Sequence, residues 1–240
     1  DVYAAYLAYT DNEIGRVIQA VEDLGQRDNT LVIYITGDNG PSSEGLRNGS
    51  PNEFTAFNGV AMEVKPQLLW YPFWGSDKTF PHFAAGWAWA MATPFKWVKQ
   101  VASHFGGTAQ GVAMSWPDRI TDKGGIRHQF HHIIDITPTI LDAAGIHVPD
   151  TINGIKQRPM DGVSMAYTWD KANASTGTHH TTQYFEILGN RAIYHDGWMA
   201  SAFHGTVPWK LTFRDEQPFE LDRWELYNLD QDFTQSHDLA

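Results

Sequence analysis

Two places in this 240-residue sequence put chemistry-bearing side chains at useful spacing. Asp38 and Asn39 are adjacent, and a carboxylate beside a side-chain carbonyl offers two hard oxygen donors that suit Ca²⁺ or Mg²⁺ better than a softer metal. The same Asp-Asn-Gly run is also a strong turn signal that explains itself with no metal, and both readings stand at this point. Lys99 and His104 precede Gly106-Gly107. A lysine ammonium is a compact donor for an anionic oxygen, and a histidine is suited to protonating a leaving alkoxide. Taken singly, a Lys beside Phe and Trp reads equally as a snorkelling surface residue, and a His before Gly-Gly as a hydrogen-bonded structural group.

Other clusters are weighed the same way. His128, His131, His132 and Asp135 have the i, i+3 and i+4 spacing that gathers ligands on a helix. Thr137-Pro138, however, reads as an N-cap with Pro at the first helical position, so the helix is expected to start after them and their expected role is surface or buttressing. His179-His180 falls in a Gly/Thr/Ser-rich stretch and is expected in solvent. Trp87 and Trp89 are expected to pack around a loop, a substrate wall being the alternative.

Composition bounds the rest. Hydrophobic residues make up 42% and charged residues 19%, which suits a packed protein. No apolar run approaches the roughly 18 residues of a membrane span, so no membrane partner is expected. A net charge of −11 with no cluster of Lys and Arg argues against nucleic acid. The absence of cysteine excludes disulfides and thiolate metal sites within these residues. The sequence opens on Asp1 directly in helix-like sequence and stops at Asp238-Leu239-Ala240, and both ends read as cuts in a longer protein.

The elements that must position these residues follow from periodicity. Leu7, Ile14, Val17, Ile18, Val21 and Leu24 recur at helical spacing before Gly25, predicting a helix over 2–24. Residues 31–36 form a short apolar run of the kind buried on both faces of a parallel sheet, with the acidic turn at its carboxyl end, where open α/β sheets place ligands. Residues 41–92 show no period and read as a functional loop or lid. A second strand is expected over 111–116 and a helix from Thr137 to the stop at Gly145. After 150 the texture changes to short strands, 183–188, 191–195 and 198–203, separated by Gly189-Asn190 and Asp196-Gly197, with 225–229 as a further candidate. The expected fold class is therefore α/β over 1–150, followed by a smaller antiparallel β-rich region over 151–240.

Longer stretches carry a resemblance. In order they are Asp11 with Ile14-Gly15-Arg16, Ile33-Tyr34-Ile35-Thr36-Gly37-Asp38-Asn39-Gly40, Gly86-Trp87-Ala88-Trp89-Ala90-Met91, Thr93-Pro94-Phe95, Ser103-His104-Phe105-Gly106-Gly107-Thr108, Ser115-Trp116-Pro117, Ile134-Asp135-Ile136-Thr137-Pro138-Thr139-Ile140, Asn153-Gly154-Ile155, and Tyr184-Phe185-Glu186 through Trp198. In this order and spacing, over nearly the full length, the chain resembles the carboxy-terminal portion of the large bacterial type I arylsulfatases, formylglycine enzymes of the alkaline-phosphatase-like superfamily. The resemblance implies that Asp38 and Asn39 complete a Ca²⁺ site whose other ligands lie near the amino terminus. It implies that Lys99 binds a sulfate oxygen, with Lys96 the alternative because the spacing to Gly106 is one residue longer than usual, and that His104 supports Lys99. The formylglycine nucleophile, made from Cys or Ser in a Cys/Ser-x-Pro-x-Arg motif, is expected upstream and not in these residues. The implied substrate is a small sulfate ester and the implied partner is the amino-terminal half of the same enzyme, without which this chain is expected to be inactive. Thr108-Ala109 departs from the arginine expected after Gly-Gly-Thr and bears on the packing of that loop. Two alternatives remain: a phosphonate or phosphodiester hydrolase of the same superfamily, and a non-catalytic binding or accessory module.

Overall fold

The computed structural model describes residues 1–37, 39–210 and 217–240. The first helix, α1 (Val2–Asp23), forms where the apolar spacing predicts it, and Gly25 follows with φ 67°. None of its 22 residues is buried. Ile14, Ile18 and Val21 are partly covered, but Leu7 is 51% exposed and Val17 67%, so much of its apolar stripe is bare among the described residues. The same holds on the scale of the whole surface. The chain exposes 15566 Å², whereas a folded monomer of 27.0 kDa exposes about 10800 Å² by the usual scaling.

Strand β1 (Val32–Ile35) lies inside the expected run. Its partner, β2 (Val112–Ser115), runs antiparallel in the register Val32↔Ser115 to Ile35↔Val112. This corrects the parallel pairing expected for that run. The chain returns through Gly111, whose carbonyl accepts from Thr36 N at 3.0 Å, and so feeds β2 back along β1. Because the pair is two-stranded, β1 is half-covered and not buried on both faces; Tyr34 is 39% exposed.

The aperiodic stretch between them contains three short helices, α2 (Glu53–Phe57), α3 (Val64–Gln67) and α4 (Ala85–Ala92). The buried Gln67 amide holds it together by donating to Gly49 O and Met62 O, both at 3.1 Å. A fourth, α5 (Phe105–Thr108), carries the Gly-Gly pair. Helix α6 (Ile136–Ala144) begins directly after a 3₁₀ turn at Ile133–Asp135, which corrects the N-cap expected at Thr137. The cap is made earlier: Asp135 accepts from His132 N at 2.9 Å while the His132 ring accepts from Ile134 N, a reciprocal capping box. Pro138 is tolerated because first-turn N–H groups have no intrahelical acceptor. Gly145 ends the helix in the left-handed conformation, as expected.

Beyond it lie a small hairpin, β3 (Thr151–Ile152) and β4 (Ile155–Lys156), and a four-stranded antiparallel meander, β5 (Thr182–Ile187), β6 (Asn190–His195), β7 (Trp198–Ala202) and β8 (Trp224–Asn228). The two tight turns are Leu188-Gly189 and Asp196-Gly197, with φ of 55° and 83° and of 43° and 81°. Positive φ at both positions matches the twist of a two-residue hairpin, and the first turn lies one residue before Gly189-Asn190. Ala192, Tyr194, Met199, Tyr227 and Leu229 bury the inner face of this sheet against Phe105 of α5, so one apolar cluster joins the meander to the Gly-Gly segment. Each large side chain fully buried there stabilises the join by about 2 kcal/mol.

Candidate active site

Three glycines set the geometry around the acidic turn. Gly40 N donates to Gly107 O at 2.9 Å. A Cβ on Gly40 would collide with the carbonyl of Gly106, one on Gly106 with the carbonyls of Lys96 and Trp97, and one on Gly107 with that of Val101. Only backbone fits in these gaps. The turn after β1, the segment 96–101 and α5 therefore pack main chain against main chain, and Lys99 N donates to Pro41 O at 3.1 Å. Lys99 is thus fixed at Pro41, two residues after Asn39 and one after Gly40. Asp38 lies outside the described residues; Asn39 is partly buried beside it.

The Lys99 ammonium donates to Glu44 Oε2 at 2.8 Å. Gln100 donates to Glu44 Oε1 at 3.0 Å and Ser42 to Oε2 at 2.8 Å, with His82 Nε2 a further 2.9 Å from Ser42 Oγ. Burial pushes the Glu44 carboxyl up, but the bonds from Lys99 and Ser42 and the lysine charge outweigh it and hold it below its ordinary range. Lys96, the alternative sulfate ligand, points elsewhere: its Nζ is 3.3 Å from Tyr227 Oη and over that ring.

His104 is buried. Its Nε2 bonds Glu225 Oε2 at 2.9 Å and its Nδ1 lies 2.9 Å from Ser103 Oγ. Tyr227 donates to the same Glu225 oxygen at 2.8 Å. The bond to His104 depresses the Glu225 carboxyl, while burial and that carboxylate push the Tyr227 phenol up. His104 therefore ties the Gly-Gly segment to β8 and meets the lysine segment at the Trp97 ring. Sequence spacing gave no sign of Glu44, Ser42, His82 or Glu225, because each meets its partner across 40 or more residues or inside an aperiodic loop.

The histidine group proves to be a buttress. Asp135 is fully buried and accepts from the main chain of His132 and Val163, both at 2.9 Å, from His180 Nδ1 at 2.8 Å and from His131 Nδ1 at 3.1 Å. Burial raises its carboxyl, yet these four donors bring it down to about 2. His180, expected in solvent, is buried in this cluster with its other nitrogen on Gln183; His179 is exposed and stacks on Tyr167. His128 is exposed. Among the described residues, no group of three or more His, Cys, Asp or Glu is arranged to hold a metal. Trp89 packs edge-on against Trp97 and Trp209, as expected, but Trp87 is 67% exposed on α4.

One stretch, Ser115-Trp116-Pro117-Asp118-Arg119, does spell Ser-x-Pro-x-Arg, which corrects the expectation that those letters are missing from these residues. Its placement separates it from the acidic turn. Ser115 pairs with Val32 at the amino end of β1, about 10 Å along the strand from Ile35, and accepts from Arg27 at 2.7 Å. Arg119 is exposed over the Trp116 ring.

Comparison with known proteins bears on the family and the fold. Over 248 aligned residues covering the whole chain it is 27% identical to an uncharacterized sulfatase of Schizosaccharomyces pombe, of which it spans 40%. Over 69% of its length it is 26% identical to an arylsulfatase of Klebsiella aerogenes, of which it spans 33%. The fold matches a sulfatase from Pseudoalteromonas sp. with a TM-score of 0.54 at 15% identity, covering 98% of this chain and 37% of that one. It also matches a Bacteroides thetaiotaomicron structure from work on the metabolism of multiple glycosaminoglycans, with a TM-score of 0.55 at 17% identity, covering 96% and 39%. The chain spans about two fifths or less of each of these proteins. The profile of the family described as Sulfatase matches residues 1–146, and the chain belongs to that family.

Proposed function

We propose that this chain supplies the Lys99 and Asp38-Asn39 part of an arylsulfatase site that hydrolyses small sulfate esters. The observation that supports this most is the backbone packing of Gly40 on Gly106-Gly107, which holds the lysine segment against the acidic turn. Lys99 would donate to a sulfate oxygen, and His104 would keep its segment in place by anchoring α5 to Glu225. Asp38 and Asn39 would hold a Ca²⁺, whose contribution when bound is to act as Lewis acid and template for the sulfate oxygens. Their donor chemistry fits, since both offer hard oxygens, but two residues supply a minority of the roughly 6 to 8 ligands Ca²⁺ takes. The other ligands and the formylglycine nucleophile would come from the part of the relatives that this chain does not span. The partly bare stripe of α1 is consistent with such a partner region.

On this reading the 240-residue chain turns over no chromogenic aryl sulfate, with or without Ca²⁺, and calorimetry gives Ca²⁺ affinity no tighter than millimolar that Asp38→Ala removes. Metal-dependent turnover scaling with the purified chain, or micromolar affinity that survives Asp38→Ala, would show that the assignment is wrong.

A further inference from the structure

We propose that Glu44 is a built-in counter-ion to Lys99 that makes the site favour the singly charged sulfate ester over the doubly charged sulfate it releases. The inference rests on Lys99 being the sulfate-binding group. Both oxygens of the Glu44 carboxylate are engaged, Oε2 by Lys99 and Ser42 and Oε1 by Gln100, and His82 backs Ser42. It is 22% exposed, and the lysine 34%, so the pair is only partly screened by water. The bonds that hold Glu44 below the ordinary carboxylate range keep it charged at neutral pH.

The consequence is electrostatic. An ammonium has three protons, and one is spent on Glu44, leaving two for an incoming anion. Because the N–H bonds of an ammonium diverge at the tetrahedral angle, an acceptor oxygen of the anion on that free side sits roughly 5 Å from the carboxylate oxygen. At an effective dielectric between that of a protein surface and that of water, each unit of anionic charge at this separation loses about tenfold in affinity. A sulfate ester carries one such charge and inorganic sulfate two. Glu44 therefore disfavours the dianion by about a further tenfold, which weakens retention of the product more than binding of the substrate.

The test uses the 240-residue chain, with methyl sulfate and inorganic sulfate titrated at low ionic strength and followed by the NMR signals of the Lys99 side chain. Wild type is compared with Glu44→Gln, which keeps the side-chain oxygen and shape, and with Lys99→Met as the control for site occupancy; circular dichroism checks that each variant is folded. The expected result is that Glu44→Gln tightens both anions and shifts the affinity ratio about tenfold towards inorganic sulfate. If Glu44 only holds the lysine in place, both anions loosen or move together and the ratio is unchanged, which overturns the counter-ion role while leaving Lys99 as the anion ligand. If neither anion perturbs Lys99 in the Glu44→Gln chain, or if binding seen elsewhere in the chain survives Lys99→Met unchanged, the lysine assignment fails and the counter-ion role fails with it.

Discussion

Replacing Asp135 with Asn tests how the segment before α6 is joined to the loops that follow that helix. The carboxylate is fully buried and serves four donors on three segments: His131 and the His132 main chain before α6, Val163 in the following loop, and His180 before β5. An asparagine keeps the shape but offers one acceptor oxygen, and its NH₂ then faces at least one donor. Losing about two charge-assisted hydrogen bonds, with donors left buried, costs on the order of 3 kcal/mol. For a chain of this size that lowers the melting temperature by about 10 °C. The control is Asp142→Asn, whose exposed carboxylate accepts from Ser164 and should change stability by no more than about 0.5 kcal/mol. The pH dependence has a definite sign. Asp135 is depressed from 3.8 to about 2, so its contribution is fully present above the unfolded value and is lost as pH falls from near 4 towards 2. Thermal melts of wild type and Asp135→Asn should therefore differ most at pH 5 to 7 and converge near pH 2. A variant that melts with wild type at pH 6, or a gap that persists undiminished at pH 2, would refute the buttress.

Ser115→Ala should cost about 1 kcal/mol, through loss of the Arg27 bond, and leave sulfate binding unchanged in the same NMR titration. A loss of anion binding in that variant would give the Ser-x-Pro-x-Arg letters a role their position at the far end of β1 does not support. Gly106→Ala should destabilise the chain by about 3 kcal/mol or more, measured by urea denaturation, because a methyl there has only the carbonyls of Lys96 and Trp97 to displace. Stability within about 0.5 kcal/mol of wild type would mean that this close packing is not what holds the lysine segment.

What the sequence disclosed follows from how local each signal is. Helix α1, the meander β5 to β8 and the Gly145 stop were legible because periodicity and turn chemistry act within a few residues. The pairing of β1 with β2 was not, since an apolar run of four residues fits either a parallel or an antiparallel neighbour and only the path through Gly111 decides. The start of α6 was misplaced because Thr137-Pro138 is a good local cap, and a better one, formed by His132 and Asp135, depends on Asp135 being buried by His180 and Val163 from further along the chain. For the same reason His180 looked solvated. At the candidate site, Lys99 and Gly106-Gly107 could be named from motif, but Glu44 could not. Its partner is 55 residues away, and the segment that carries it has no period.

The meander serves the site without lining it. The segment that presents Lys99 departs from regular structure, with Trp97 at φ 70° and Gln100 at φ 78°, conformations that cost a non-glycine residue free energy and persist only where the surroundings enforce them. The enforcing contacts come largely from the later strands. Asn190 of β6 donates to Gln100 O at 3.2 Å and accepts from His204 N at 3.0 Å. Glu225 of β8 holds His104, and Phe203 stacks on Trp97 at 4.4 Å between ring centres. Phe105 N donates to the buried Gln235 at 2.8 Å. Thus each end of the lysine segment, and the strained residues within it, is bonded to or stacked on the carboxy-terminal region. The turn after β1 reaches this region through Gly40 N on Gly107 O and through Pro41 O, which accepts from Lys99 N. A substitution that loosens β6 or β8 should therefore act on anion binding at Lys99 before it acts on the turn, and the order of those two losses identifies which support has failed.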